Sequence, residues 1–391
     1  MIYQKSLINI KSSYIHSFNT SLISENLSSI DKIVKNLESA DTNRYKINSE
    51  FKNLKFFISE VFNLLKKHSK IQNDLYLEYF IDELKKKVEE YLSQLKIYYI
   101  SKKKIHIDNC EMKNGFYKIQ INESIIDEIL TLCSDNLNNF RNNVRNGLIK
   151  RENLSINTGW KIRKIINILN AEFNKIGVNE QVSFYMQKKY QVISCALELS
   201  TPFSKWWENT ENTKSSNRTN YAHVDESFLY PKSILYLTDV DKNNGPTSFY
   251  PNIYKKLGLN FLQDTIGRVV GNIGQNKNSK LFNYYKKKYH QPMSCEKFQN
   301  HFSFLPSELR FNSHFGWDIQ SESALEGDMI QDENFITGKK GTCIIFDGAR
   351  ILHRGGLIQD GERIVLQIMF GIPKNSIVKI INKIIRKISE L

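Results

Sequence analysis

The stretch "GTCIIFDGARILHRGGLIQDGERIVLQIMFG", residues 341–371, breaks into the short strands "GTCIIFD", "RILH" and "ERIVLQIMFGI", separated by glycine turns. In the last of these, Arg363, Val365 and Gln367 share one face, while Ile364, Leu366 and Ile368 share the other. An arginine on a strand packed on both sides is costly unless it meets an anion. Its planar fork suits bidentate capture of a carboxylate. Ten positions earlier, His353 ends the middle strand, just before Gly355 and Gly356. Short strands joined by tight turns favour a β-sandwich or a double-sheet barrel for the second half of the chain.

Upstream, "NYAHVDESF" at 220–228 places His223 and Asp225 one residue apart. Positions i and i+2 of a strand face the same way, and imidazole with carboxylate suits several first-row transition metals. Alone, the triplet fits either two ligands of one metal ion or an ordinary surface pair. The context around it is strand-like. "YQVISCALELS" precedes it, followed by "TPF" and the polar loop "KWWENTENTKSSNRTN". After it come "KSILYLTDV", the turn "DKNNGP" and "TSFY". Gly245 in that turn can take positive φ.

Together, His223-x-Asp225, the distal His353 and Arg363 ten residues later resemble the signature of iron(II)- and 2-oxoglutarate-dependent oxygenases. Within that superfamily, "LYLTDVDKNNGPTSFYP" is similar to the segment after the metal triplet in the phytanoyl-CoA dioxygenase family. The similarity spans roughly residues 185–251 and 341–372. It implies an α+β chain built on a double-stranded β-helix, with His223, Asp225 and His353 as a facial triad for Fe(II). It further implies 2-oxoglutarate chelated through its 1-carboxylate and keto oxygen, Arg363 on the distal carboxylate, and O2 at the remaining position. The implied outcome is hydroxylation of a C–H bond with release of succinate and CO2. Related halogenases have a small residue where Asp225 stands, so hydroxylation is expected rather than halogenation, with desaturation or ring formation open from the same chemistry. Tyr236, Thr238 and Gln367 are candidate further contacts to 2-oxoglutarate. Trp206, Arg350 and Arg354 are candidate substrate contacts, although paired tryptophans in a loop more often pack and the two arginines equally fit a solvated edge. The family's substrates include acyl thioesters, small metabolites and carrier-bound intermediates.

The chain departs from the family in two places. "YPNIYKKLG" follows the turn strand where "PGSH" is common, and Asp225 and His353 lie 353 − 225 = 128 residues apart. Residues 252–340 account for that distance as a long irregular insertion between barrel strands, an arrangement that usually supplies a lid or a substrate-binding element. The insertion also holds a competing pair, His301 and Arg310, nine apart. The segment between them contains a proline and lacks both the glycine turn and the clean strand.

Residues 1–110 read as helical. Phe51, Leu54, Ile58, Val61 and Leu65 form one apolar stripe, and Leu77, Phe80, Leu84, Val88, Tyr91 and Leu95 another, with a polar break at 69–74. This region has no chemistry-bearing constellation, and packing or partner binding is its expected role. The oxygenase domain is expected over 111–373. Residues 374–391 form a basic amphipathic helix suited to docking on the chain itself or to peripheral membrane contact.

Hydrophobic residues at 40 % and aromatics at 12 % describe a globular protein of 391 residues. A net charge of +14 comes from dispersed lysines in a Lys-, Asn- and Ile-rich chain, with no nucleic-acid motif, and it is compatible with an anionic substrate. Five scattered cysteines without a CxxC pair argue for reduced thiols and a cytoplasmic protein. The opening stretch lacks a signal-peptide core, and no run is long enough to span a membrane. A zinc hydrolase on the same triad, with Glu226 as the near base, and a non-catalytic scaffold are the alternative readings.

Overall fold

The computed structural model describes residues 20–38, 44–101, 112, 115–146, 160–200, 222–285, 295–311, 324–356, 358 and 360–373. Trp206, the loop around it and the basic tail at 374–391 lie outside the described residues.

Two antiparallel sheets carry the second half of the chain. The larger has five strands in the order β1 (Phe116–Gln120), β6 (Thr342–Phe346), β3 (Lys232–Tyr236), β8 (Arg363–Gly371) and β2 (Gln191–Ser200). The smaller runs β5 (Asn334–Ile336), β4 (Thr247–Tyr250), β7 (Leu352–Arg354). His223 pairs with His353 as an isolated bridge and extends the smaller sheet beyond β7. From β2 onward the chain therefore visits the sheets in the order large, small, large, small, small, large, small, large.

Alternation in β8 gives that strand two different neighbours. Ile364, Leu366 and Ile368 join a core beneath α4 (Glu123–Arg145), α5 (Trp160–Lys175) and α6 (Val178–Met186). Val365 faces the other way, into the space between the sheets, with Ile234, Tyr236, Phe249, Ile336, Ile344 and Phe346. There Phe249 stacks on Phe116 at 4.8 Å and meets Phe346 nearly edge-on at 5.2 Å. Each fully buried ring contributes roughly 2–3 kcal/mol of hydrophobic stabilisation.

The insertion differs from the irregular segment expected. Its described residues form α7 (Ile253–Lys256), α8 (Phe261–Val269), a 3-10 turn, α9 (Phe282–Tyr285), α10 (Glu296–Phe304) and α11 (Ala324–Asp332). Its last stretch supplies β5, which pairs with β4, so the second sheet begins again before residue 340. The physical reason is visible in α8. Leu262, Ile266 and Val269 recur at helical spacing, and the Asn260 side chain caps the helix by accepting from the Gln263 amide at 2.8 Å.

These helices pack on the N-terminal ones. The residues of both stripes in α2 (Arg44–Ile71) and α3 (Leu75–Ser101) are buried in one core with α1 (Ser21–Glu38). That same core contains Leu262, Ile266, Val269, Phe298, Phe302 and Leu309 of the insertion. Polar contacts tie the two groups as well. Asp31 of α1 accepts from the Phe261 amide at 2.9 Å, and Glu83 of α3 accepts from the Gly274 amide at 2.8 Å. No helix among the described residues is long and apolar enough to cross a membrane.

Candidate metal centre

His223 and His353 are fixed through their backbones. Each amide donates to the other's carbonyl, at 2.8 and 2.9 Å, and the rings lie 4.4 Å apart. Asp225 is not on a strand. Its amide donates to the Gly348 carbonyl at 2.7 Å, and this bond aims the side chain back towards the histidines. One ligand atom from each of His223, Asp225 and His353 lies within 4.8 Å of the others, and among the described residues no other such trio occurs.

The hydrogen bonds decide which atoms face the centre. Nδ1 of His353 lies 3.0 Å from the Ile351 carbonyl, which can only accept. Nδ1 therefore carries the proton, and Nε2 presents its lone pair. Oδ1 of Asp225 accepts from the Lys232 ammonium at 2.7 Å. Oδ2 is buried, has no hydrogen-bond partner and lies 3.9 Å from Nε2 of His353. A buried carboxylate oxygen left unpaired is costly unless something cationic completes it. Two imidazoles and one monodentate carboxylate are a donor set suited to a first-row transition metal.

Electrostatics agree. Burial against Phe346 and Phe249, at 4.9 and 6.2 Å between ring centres, lowers the pKa of His353, with Asp225 opposing. Burial alone would raise the pKa of Asp225, but Lys232, His353 and His223 together hold the carboxyl well below its usual range. Gly348 is required for space as well as for its carbonyl. A Cβ there would lie 1.9 Å from Oδ2 of Asp225.

Arg363 sits on the inner face of β8, 5 % exposed. Its Nη1 donates to the Gly245 carbonyl, and its Nε has no partner. Burial pushes its pKa down, with Tyr236 and Glu198 opposing. Of the three neighbours expected to help it, Tyr236 faces the same space between the sheets. The Tyr236 hydroxyl donates to the Ile336 carbonyl at 2.7 Å and accepts from the Thr247 amide at 3.1 Å. Thr238 accepts the Ile364 amide at 3.1 Å, and Gln367 is exposed farther along the strand. Both hydroxyls thus serve the backbone where they stand. Arg350 donates to Asp347 and to the Tyr185 hydroxyl and stacks over Tyr98 at 4.6 Å, while Arg354 pairs with Glu333 at 2.6 Å. Their guanidinium groups are engaged inside the protein. His301 belongs to the insertion helix α10 instead, buried against Tyr285 and facing the partly exposed Asp74 at 3.4 Å.

Sequence reasoning missed Lys232, Gly348 and Glu198. Glu198 alternates with the helix-facing Leu197 and Leu199 on β2, which puts it on the same inner face as Arg363. Burial raises its carboxyl pKa, against the pull of Arg363, Gln367 and Lys232. A lone glutamate in an apolar strand was the available signal.

No family model matches the chain, and no curated protein matches it in sequence. Solved structures superpose weakly. AviO1 from Streptomyces viridochromogenes Tue57 has a TM-score of 0.34 and 11 % identity, covering 66 % of this chain and 90 % of its own. HygX from Streptomyces hygroscopicus, with nickel and 2-oxoglutarate bound, has a TM-score of 0.29 and 9 % identity, covering 71 % and 86 %. The epimerase SnoN, in complex with Fe3+, alpha ketoglutarate and nogalamycin RO, has a TM-score of 0.31 and 10 % identity, covering 66 % and 78 %. At scores this low the superpositions carry no weight for fold or chemistry, and the side chains have to.

Proposed function

We propose that this chain is an Fe(II)- and 2-oxoglutarate-dependent oxygenase on a double-stranded β-helix, hydroxylating a C–H bond of a small or carrier-bound substrate. The observation that carries the reading is the convergence of His223, Asp225 and His353 around an Asp225 oxygen that nothing in the protein satisfies. The order in which the chain visits the two sheets supports the fold, because such alternation closes a two-sheet jelly roll.

Iron(II) and 2-oxoglutarate, when bound, would supply oxidative decarboxylation to succinate and CO2 coupled to oxidation of the substrate. The residues of the chain do the rest. His223, Asp225 and His353 would hold the metal from one side and leave the other open. Lys232 fixes which Asp225 oxygen faces it. Arg363, buried and with Nε unpaired, offers a cationic donor to the distal carboxylate of the co-substrate. Asp225 keeps a carboxylate where a halogenase would need a vacant position, which favours hydroxylation. Nothing in a zinc hydrolase calls for Arg363, and Glu226 is held by Asn272 at 2.6 Å.

The test is an anaerobic titration of the apo-protein with iron(II) and 2-oxoglutarate, following the weak visible charge-transfer band of the chelate. The wild type is expected to develop the band and His353→Ala to lose it. Arg363→Ala should need about 10- to 100-fold more 2-oxoglutarate, the value of one charge-assisted contact. Bound metal without a band would overturn the reading.

A further inference from the structure

Arg268 comes from α8 of the insertion, outside every segment that suggested the chemistry, yet it reaches the loops that carry the metal ligands. Its side chain is almost completely buried. Nη1 donates to two backbone carbonyls, Asp225 O at 2.9 Å and Ala349 O at 2.8 Å. Nε donates to both oxygens of Asp264, one turn earlier on the same helix, at 3.0 Å each. Nη2 donates to the Tyr254 hydroxyl at 2.9 Å. The guanidinium also lies 5.2 Å from the ring centre of Phe228, three residues past Asp225.

The two carbonyls belong to the two segments whose spacing sets the triad. One is Asp225 itself. The other follows Gly348, whose carbonyl accepts the Asp225 amide and whose missing Cβ makes room for the Asp225 carboxylate. Both segments are irregular at this point, and among the described residues the Asp225 amide bond to Gly348 is the one backbone hydrogen bond that ties them there, so the two carbonyl contacts of Arg268 add the second tie. Buried loop carbonyls need donors, and a planar guanidinium can serve both from one rigid group where an ammonium cannot match the fork.

We propose that Arg268 is a positioning residue of the metal centre, through which the insertion sets the distance between Asp225 and the 348–349 turn. This rests on the metal-site reading above and extends it to a residue that meets Asp225 only at its backbone carbonyl and offers the metal no donor atom. The insertion then acts as a brace for the ligand loops from outside the barrel.

The experiment is an anaerobic titration of full-length apo-protein with Co(II) alone, reading affinity and the visible d–d spectrum, alongside melting curves. Arg268→Lys keeps the buried charge opposite Asp264 and loses the fork. It is expected to fold, to bind Co(II) about tenfold or more weakly, and to show a shifted d–d spectrum, as loss of an orienting contact does. Val269→Ala, next to it on α8, should lower the melting temperature and leave the spectrum of the loaded protein unchanged. Adding guanidinium-type ions to Arg268→Ala should recover part of the wild-type spectrum. Wild-type affinity and spectrum in Arg268→Lys would overturn the proposal while leaving the metal site intact. An equal spectral shift in Val269→Ala would overturn it too, by reducing the effect to general loosening. A wild type that binds no Co(II) would sink the metal site and this inference together.

Discussion

A single missing methyl group decides whether Asp225 can point at the histidines. The Cβ of an alanine at 348 would fall 1.9 Å from Oδ2 of Asp225 and 3.0 Å from Cε1 of His353, so one ligand or the turn has to move. Gly348→Ala is therefore expected to fold, with an unchanged far-UV circular dichroism spectrum. It should bind Co(II) at least tenfold more weakly, since displacing a ligand costs no less than losing its orienting contact. Wild-type affinity would mean that the described geometry is not the one that binds metal. The apolar wall around His353 has a consequence for stability as well. Its folded pKa lies below 6.5, so between the two values the unfolded chain binds a proton that the folded chain does not. Apo-protein stability should thus fall as pH drops through about 6.5 and level off once the folded imidazole titrates. The slope from this one group is limited to ~1.4 kcal/mol per pH unit. His353→Phe, an apolar ring in the same pocket, should flatten that part of the stability profile in denaturant titrations. An unchanged slope would assign the dependence to another group.

At the scale of elements, the strands that carry the candidate residues were readable where an odd residue interrupts a regular pattern. Arg363 stands out in β8 because its neighbours alternate cleanly between two apolar cores. The same reasoning finds β1, β2 and β6 and fails at β5, which is as short as β7 but, unlike it, has no glycines on both sides to mark it off as a strand. Lys232, Gly348 and Arg268 were not legible for a different reason. Each acts on Asp225 from another segment, and no local pattern marks a lysine, a glycine or an arginine that meets its partner only in the fold. An amphipathic stripe likewise says that a helix buries one face without naming what covers it. Where local chemistry does set an element, it can be tested alone. Asp74 precedes α3 and accepts from the amides of Tyr76 and Leu77 at 2.9 and 3.2 Å, satisfying two donors the helix cannot pair. Asp74→Ala should cost about 1 kcal/mol in chemical denaturation. Asp74→Ser, which can still cap, should recover most of it. Equal losses in both variants would instead point to the buried His301 that Asp74 also faces at 3.4 Å.

At the scale of the molecule, the helices before the sheets and the helices inserted between β4 and β5 belong to one core although long stretches of chain separate them. Leu84 of α3 and Leu262 and Ile266 of α8 are fully buried within it, and Phe228, just past the metal triplet, packs against its edge. Phe228 touches Tyr91 and Tyr98 of α3 at 5.6 and 6.0 Å between ring centres, and Arg268 and Arg350 lie over the same ring. The helical layer thus meets the two sheets near the loops that carry His223, Asp225 and Ala349. Regions that share one core open together, and regions with separate cores open separately. Leu84→Ala should cost about 2–5 kcal/mol, from lost burial and the cavity left behind. Most of that loss should fall on the helical layer, in whose core Leu84 is buried. In native-state hydrogen exchange, the variant should speed exchange in α3 and α8 by the same factor and leave the amides of β2, β3 and β8 at wild-type rates. Co(II) binding in the same variant should weaken in proportion to the population of the opened layer, because Arg268 leaves the ligand loops when α8 opens. Faster exchange in α3 with α8 unchanged would show that the two helical groups unfold independently, and the insertion would then need some other support to hold Arg268 against Asp225.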